Sequence, residues 1–507
     1  MTALKPDDYI HSDFKADAQT TPRYDVKPVN SAAARPNRLS YVGRIAIHPK
    51  RAKGTYRNIK WAVMAITLGI YYLLPWIRYD RGPDLPNQGV LIDLENNRYF
   101  FFWLEIWPQE FYFITGLLIV SALALFLFTA IAGRVWCGYA CPQTVWVDLM
   151  ISLERFWQGD RNERLKLEKM RWWTPVRLYR KTMTHLSWML VGIATGGALV
   201  FYFRDAPTLA VELLNGTAPY YSYVFLAIFA TTTYVLGGLS REQVCTYMCP
   251  WPRIQAAMTD RHTLLVSYRT ERGEPRSPHK KGETWEGRGD CVDCKACVVV
   301  CPAGIDIRDG SQLECIQCAL CIDACNDVMA KVGRPQGLIA YETVAKQEAQ
   351  ACGNHEPFQL IRPRTVLYAG VLALVTTILL VAWFNRKLVE VNALHERNPP
   401  YVQLSDGSIR NAYTVKLLNK RYEPREMELR ADGLPGAKVT IVGEPAGSSG
   451  RARVPTDTVR EVRVLVSVPA ADAAKLANRS TSFKMVLRDI ASGDESSRTI
   501  KFEAPEK

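Results

Sequence analysis

The sequence predicts a multi-pass α-helical membrane protein with five spans, a cysteine-rich insertion of the ferredoxin type and a C-terminal β-sandwich of the immunoglobulin-like class. Three observations predict this fold. Five apolar runs are each about long enough to cross a bilayer, one cysteine spacing occurs twice in succession, and alternating strand patterns fill the C-terminal part. Together they divide the chain into parts at 1–60, 61–259, 260–364, 365–385 and 399–507.

The apolar runs indicate that the lipid bilayer is the solvent for most of the first half of the chain. None of them contains an internal charge, and no soluble core requires five such runs. The first run follows a long polar segment, so it is not a cleaved signal peptide. The runs occupy residues 61–77, 111–133, 186–203, 221–239 and 366–384.

Basic residues predict the orientation of these spans. Arginines and lysines are dense before the first run and between the second and third, whereas segment 80–110 has more acids than bases and segment 204–220 has a single Arg. The positive-inside rule then predicts a cytoplasmic N-terminus, a cytoplasmic insertion and a periplasmic C-terminal domain in a bacterial inner membrane. The net charge of +13 reflects this topology and attraction to anionic lipid, so no nucleic-acid partner is expected.

Residues 1–60 are expected to form a basic cytoplasmic segment. Its first forty residues or so are polar and lack an apolar period, which predicts disorder. Residues 41–60 are expected to lie along the membrane surface, with His48 as a solvated interfacial side chain.

The insertion contains the pattern C-x2-C-x2-C-x3-C twice, which is the spacing of proteins that hold two [4Fe-4S] clusters on thiolates. In such proteins the fourth ligand of each cluster comes from the other run. This predicts a 2x[4Fe-4S] ferredoxin domain over 260–364, and a zinc site or structural disulfides fit the doubled spacing and a reducing compartment less well. The predicted ligands are Cys291, Cys294, Cys297 and Cys325 for one cluster, and Cys315, Cys318, Cys321 and Cys301 for the other.

A second cysteine pattern, C-x-Y-x-C-P, follows the second and the fourth apolar runs. It places Cys137 and Cys141 in one copy and Cys245 and Cys249 in the other. Cysteines at i and i+4 share a helical face with Cβ atoms roughly 5–6 Å apart, and the following proline stops or kinks the helix. The repeat favours a functional site over chance packing: a Cu(I) site, a redox-active dithiol, or a further cluster if all four sulfurs converge.

The order of these features resembles the CcoG family, also called FixG or RdxA, from about Tyr41 to the end of the chain. The C-x3-C-P pairs alone also resemble the NapH and NosR membrane ferredoxins, so the likeness depends on the whole arrangement. The family resemblance implies a role in maturation of cbb3-type cytochrome c oxidase, as an oxidoreductase that turns Cu(II) into Cu(I). It implies the eight cluster cysteines as cofactor ligands, and Cys137, Cys141, Cys245 and Cys249 as the copper-handling set.

The implied partners are copper ions, a cytoplasmic electron donor of unknown identity, and subunits of the oxidase or copper chaperones. Two other functions stay open. One is a membrane conduit that exchanges electrons with quinone or a partner reductase, and the other is a redox-sensing scaffold for oxidase assembly. A proton pump is disfavoured because no carboxylate or lysine lies inside an apolar run.

Overall fold

The computed structural model describes Tyr24 and residues 46–82, 85–280, 282–445, 450–473 and 480–505. Contacts between elements divide the chain into two compact units, one of residues 1–80 and 86–377 and the other of residues 81–85 and 378–507. The predicted disordered segment, apart from Tyr24, lies outside the described residues. The first unit carries the cysteines and most of the apolar helices, and the second unit carries a β-sandwich.

Helices dominate the N-terminal half of the first unit. Two π-helical segments, Tyr234–Ser240 and Val244–Met248, continue the last long helix toward the second C-x-Y-x-C-P copy. The elements are α1 (Thr55–Leu73), β1 (Val90–Asp93), β2 (Arg98–Phe101), β3 (Leu104–Ile106), α2 (Tyr112–Ala132), α3 (Val135–Tyr139), α4 (Pro142–Gln158), α5 (Arg161–Lys169), α6 (Pro175–Val200), α7 (Ala206–Asn215), α8 (Tyr220–Thr233) and α9 (Trp251–Met258).

In the described part of the chain, five helical stretches are long and apolar enough to cross a membrane. They are Thr55–Trp76, Pro108–Ala132, Pro175–Val200, Tyr220–Ser240 and Pro363–Phe384. Each overlaps one of the five predicted runs. The orientation of these helices in a membrane stays a prediction.

The cysteine-rich insertion is small and built around loops. Its two-stranded sheet pairs β4 with β5 in antiparallel fashion, and its longest helix, α12, carries the last ligand cysteines. The elements are β4 (Leu265–Tyr268), α10 (Thr270–Gly273), α11 (Ala296–Val299), α12 (Leu320–Lys331), β5 (Ile339–Glu342), α13 (Val344–Ala351) and then the apolar helix α14 (Pro363–Phe384).

The N-terminal strap, residues 46–54, differs from its prediction as a surface segment. It packs against the insertion, where the N–H of Lys50 donates to the carbonyl of Val299 at 2.9 Å. His48 is buried beside Glu168, with 2.9 Å between Nε2 and Oε1, so it is not the solvated residue that was expected. The first helix begins at Thr55, before the predicted boundary at 61, because the Asp323 carboxylate accepts the N–H of Arg57 at 2.8 Å in its first turn.

The second unit is a sandwich of two antiparallel sheets. One sheet has the order β10-β12-β8-β6 with β7 on β8, and the other has the order β11-β9-β13-β14. The strands are β6 (Val389–His395), β7 (Val402–Gln403), β8 (Ile409–Asn419), β9 (Arg425–Asp432), β10 (Lys438–Ile441), β11 (Arg451–Val454), β12 (Thr458–Val468), β13 (Ser480–Asp489) and β14 (Glu495–Glu503), with the short helix α15 (Ala470–Ala473) before β13.

The sandwich begins at β6, ahead of the predicted boundary at 399. Strand β6 pairs with β8 along its whole length, from Val389 opposite Asn419 to His395 opposite Tyr413. Only a few residues separate β6 from the end of the apolar helix α14, so the sequence pattern did not distinguish the strand from the helix end. Inward-facing residues of both sheets, including Tyr413, Leu429 and Phe502, form one buried core.

Candidate metal centres and the cysteine cavity

The insertion gathers its eight cysteines into two neighbouring sets. One small cavity is lined by Cys291, Cys294, Cys297 and Cys325. The adjacent cavity is lined by Cys301, Cys315, Cys318 and Cys321, and Cys297 also reaches it. Each set takes three sulfurs from one run and one from the other, as the crossed assignment requires. The ligand assignment itself stays a prediction.

Backbone N–H groups in both cysteine runs face the cysteine sulfurs. Asp293 and Lys295 have φ of 47° and 58°, and Gln317 and Ala319, at the same places in the second run, have φ of 55° and 59°. Alternation between right- and left-handed residues turns successive N–H groups toward one point, a geometry found at iron–sulfur sites. The N–H groups of Ala296 and Gln317 accordingly donate to the sulfurs of Cys294 and Cys315.

The thiols of both sets need a cation before they ionise. Burial raises the pKa of Cys301 and of Cys325 to about 12, and burial likewise raises the pKa of Cys297 and Cys321. Iron supplies the positive charge that deprotonates such thiols, because metal binding and thiol ionisation are linked. Two groups of four cysteines with donor-rich backbones therefore fit two [4Fe-4S] clusters, and these eight cysteines would hold the iron.

The two C-x-Y-x-C-P copies meet at a separate cavity of about 240 Å³. Cys137, Cys141, Cys245 and Cys249 all line it, and we call it the cysteine cavity. Two tryptophans, Trp136 and Trp251, form part of the wall. The same wall includes Cys315 from the second cluster set. Residues of the repeats and of the insertion therefore line one continuous space.

Each cysteine pair lies across a break in the helix, so the prediction of a shared helical face is wrong. Cys137 lies in α3, but Cys141 has extended backbone with ψ of 129° and precedes Pro142, the first residue of α4. Cys245 lies in a π-helical turn, and Cys249 is extended with ψ of 123° before Pro250. Proline pushes the preceding residue out of the helical region, which accounts for both breaks.

The sulfurs of the cysteine cavity influence one another. Burial, and then the neighbouring Cys141, raises the pKa of Cys137 to about 12, and the same two causes raise the pKa of Cys245 to about 12. The Cys137 thiol donates to Oε1 of Gln255 at 3.2 Å. Within the described residues, no three Cys, His, Asp or Glu side chains are close enough to hold a single ion. The cavity is therefore wider than a closed tetrahedral cage.

The first repeat is pressed against the insertion. The N–H of Arg134 donates to Oε1 of Gln317 at 2.7 Å, and its guanidinium donates to the carbonyl of Cys315 at 3.2 Å. A Cβ on Gly138 would lie 2.8 Å from the carbonyl oxygen of Ile316. Only glycine permits this approach, so the second cluster set is held directly beside the cysteine cavity.

The second repeat has different surroundings. Tyr247 is 39% exposed and Met248 is 63% exposed, whereas Tyr139, the counterpart of Tyr247, is only 8% exposed. Tyr139 lies beside Tyr341 of the insertion, whose hydroxyl donates to the carbonyl of Gln317 at 2.7 Å. The two copies thus supply cysteines to one cavity from two different environments.

Sequence reasoning missed Arg134, Gly138 and Gln317 as parts of the site. The available signal was their position, because Arg134 and Gly138 flank Cys137 and Gln317 lies between two predicted ligands. Cys352 is exposed, is not among the residues lining the cavities described above, and was not predicted to ligate.

Comparison with protein families agrees with the cysteine chemistry. A 4Fe-4S dicluster domain matches residues 240–344, a 4Fe-4S binding domain matches residues 114–159, and the IG-like fold at the C-terminal of FixG matches residues 379–505. The two iron–sulfur matches together include the insertion and both C-x-Y-x-C-P copies.

Curated relatives extend over most of the chain. The nitrogen fixation protein FixG of Rhizobium meliloti is 47% identical over 96% of this chain and 97% of its own length. Protein RdxB of Cereibacter sphaeroides is 49% identical over 89% of this chain and 95% of its own length, and protein RdxA of the same organism is 49% identical over 80% and 86%.

Proposed function

Because this chain belongs to the FixG family of 4Fe-4S proteins, we propose that it is a membrane-bound electron-transfer protein that reduces Cu(II) to Cu(I) at the cysteine cavity. The Cu(I) would then be supplied for assembly of a cbb3-type cytochrome c oxidase. Copper is the substrate in this proposal and not a resident cofactor.

One observation carries the proposal. The cysteine cavity is lined by both cysteine pairs and by Cys315, one of the predicted cluster ligands. A reductase must bring the electron carrier and the electron acceptor close together, and this shared wall does so through the chain's own residues. Contacts of Arg134 and Gly138 with residues 313–317 fix the separation.

The chemistry of the side chains fits a soft one-electron acceptor. Clusters bound by the eight cysteines would each accept and release one electron at a time, which is the number that Cu(II) needs to become Cu(I). Thiolates are soft ligands that favour Cu(I) over hard cations. The cysteine cavity has a volume of about 240 Å³, which leaves room for a substrate ion to enter and leave.

The electron is supplied by a reduced donor on the predicted cytoplasmic side. The balance is one electron from that donor and one Cu(II) ion consumed for each Cu(I) ion released. The oxidase subunits or copper chaperones that would receive Cu(I) belong to the proposal, with the C-terminal sandwich as the candidate docking domain. Capture of those proteins by the full-length chain, but not by a chain truncated before β6, would support that role.

The decisive experiment replaces Cys137 and Cys141 together by serine in the purified full-length protein. We expect cupric reduction by the dithionite-reduced protein to fall at least tenfold, while iron per chain and cluster absorbance stay at the wild-type level. Cys352→Ser is the control, because that thiol is exposed and does not line the cysteine cavity.

Wild-type cupric reduction by the double variant would contradict the copper site. Wild-type protein that oxidises quinol but does not reduce Cu(II) would instead support the membrane-conduit function. Copper reduction would be read as formation of a Cu(I)–chelator complex, and quinol oxidation as the loss of quinol absorbance.

A further inference from the structure

Arg134 places a buried positive charge between two groups of sulfur atoms. Its side chain is 6% exposed. The guanidinium donates to the carbonyls of Leu313 and Cys315 on one side and to the carbonyl of Pro252 at 2.8 Å on the other. It lines the cysteine cavity together with Cys137 and Cys315. The side chain therefore joins the wall of the second cluster set to the wall of the cavity.

No carboxylate in the described chain neutralises this charge at close range. Among the described residues, no Asp or Glu oxygen lies within 4.0 Å of a nitrogen of the Arg134 guanidinium. Cys137, Glu314 and Cys315 line the cysteine cavity together with Arg134. A buried charge without a counter-charge is costly. The cluster that the Cys315 set would hold lies on the insertion side of this charge, where Arg134 donates to the carbonyl of Cys315.

The arginine near the start of the second repeat is paired with a carboxylate instead. Arg241 lies four residues before Cys245, Arg134 lies three residues before Cys137, and the two arginines are equally buried. The guanidinium of Arg241 pairs with Glu154 at 2.8 Å, and Glu154 also pairs with Arg164 at 2.7 Å. Arg241 thus has a carboxylate partner, shared with Arg164, inside the helical part of the unit. Of the two arginines, it is Arg134 that meets only carbonyl oxygens.

We propose that Arg134 is a positioning residue that tunes the potential of the cluster beside the cysteine cavity. Its fixed charge stabilises the more negative, reduced state of the cluster set that contains Cys315. Because the same side chain lines the cysteine cavity, it holds the electron next to that cavity. This effect on the cluster does not rest on the proposed function.

The test is an electron paramagnetic resonance redox titration of anaerobically purified full-length protein. In Arg134→Gln we expect the midpoint potential of one cluster to fall by at least 59 mV, which is a tenfold change in a one-electron equilibrium constant. The potential of the other cluster should change less. Arg134→Lys should restore most of the difference, because it keeps the charge and loses only the fixed shape of the guanidinium.

Arg253→Gln is the matched control. It removes an arginine charge from α9, close to Pro252, but at an exposed position, so both potentials should stay at the wild-type values. Iron per chain is measured in every variant.

Two results would overturn the proposal. One is an Arg134→Gln variant with full iron content and unchanged potentials. The other is loss of iron in both Arg134→Gln and Arg134→Lys, which would make Arg134 a folding residue. Failure of the proposed function is distinguishable, because a wild-type protein that does not reduce Cu(II) leaves the potential shift intact.

Discussion

The two C-x-Y-x-C-P repeats share a motif and contribute equally to one cavity, yet their neighbours differ. The first repeat is buried against the insertion, with Tyr139 beside Tyr341. The second repeat leaves Tyr247 and Met248 exposed. The difference teaches that the cysteines define the cavity, while the residues between them determine which side of it is covered. In the proposed function, electrons would arrive past the first repeat and copper past the second.

One position explains much of this difference. The residue after the first cysteine is Gly138 in one copy and Thr246 in the other. Any side chain at 138 would collide with the backbone of residues 316 and 317, whereas the Thr246 hydroxyl has room to donate to the carbonyl of Glu242 at 2.9 Å. Contact with the insertion therefore requires glycine in the first repeat, whereas the second repeat has room for a side chain at the same position.

Gly138→Val should have the largest effect on the difference between the two repeats, because it disturbs the contact of the first repeat with the insertion. Its Cβ would meet backbone oxygens at 2.8 and 2.9 Å, and such overpacking typically costs about 1–3 kcal/mol. We expect faster hydrogen exchange in residues 313–317 and a lower rate of cupric reduction. The matched variant Thr246→Val should leave exchange in that segment unchanged. Equal protection in Gly138→Val and wild type would show that the insertion is not held by this contact.

Tyr139→Phe and Tyr247→Phe should have a smaller effect, and the two variants should differ from each other in thermal stability. Tyr139 is buried beside Tyr341, so water cannot readily replace the surroundings of its hydroxyl, and the loss of a buried polar interaction typically costs about 1 kcal/mol. The hydroxyl of the half-exposed Tyr247 can exchange a partner for water, so its removal should cost less. Thermal stability of cluster absorbance measures both. A larger loss in Tyr247→Phe would reverse the assignment of the buried copy.

Local patterns in the sequence predicted what local physics determines. Ligand spacing led to the two cysteine sets, because the ligands of each run lie within a few residues of one another. Alternation likewise located strands such as β8 and β12, whose inward side chains all enter one core. The proline after each second cysteine places that cysteine in extended backbone, so the proline and not the i, i+4 spacing determines the local geometry of each pair.

Helix α4 shows what the sequence could not reveal. The basic residues between the second and third apolar runs served only to predict orientation, yet Asp148 and Glu154 of this helix are buried. Asp148 pairs with Arg57 at 2.8 Å, and Glu154 pairs with Arg241. Those partners are separated from α4 by about ninety residues in either direction. No local sequence pattern indicates ion pairs between such distant residues. The burial of α4 and its contribution to the wall of the cysteine cavity were therefore not predicted.

The insertion starts and finishes at a single point on the end of α2. The hydroxyl of Thr263 and the guanidinium of Arg362 both donate to the carbonyl of Ala130 at 2.9 Å. A module whose termini coincide can be added to a loop without disturbing its host. A related carrier of different potential could therefore be exchanged for the insertion at the same carbonyl.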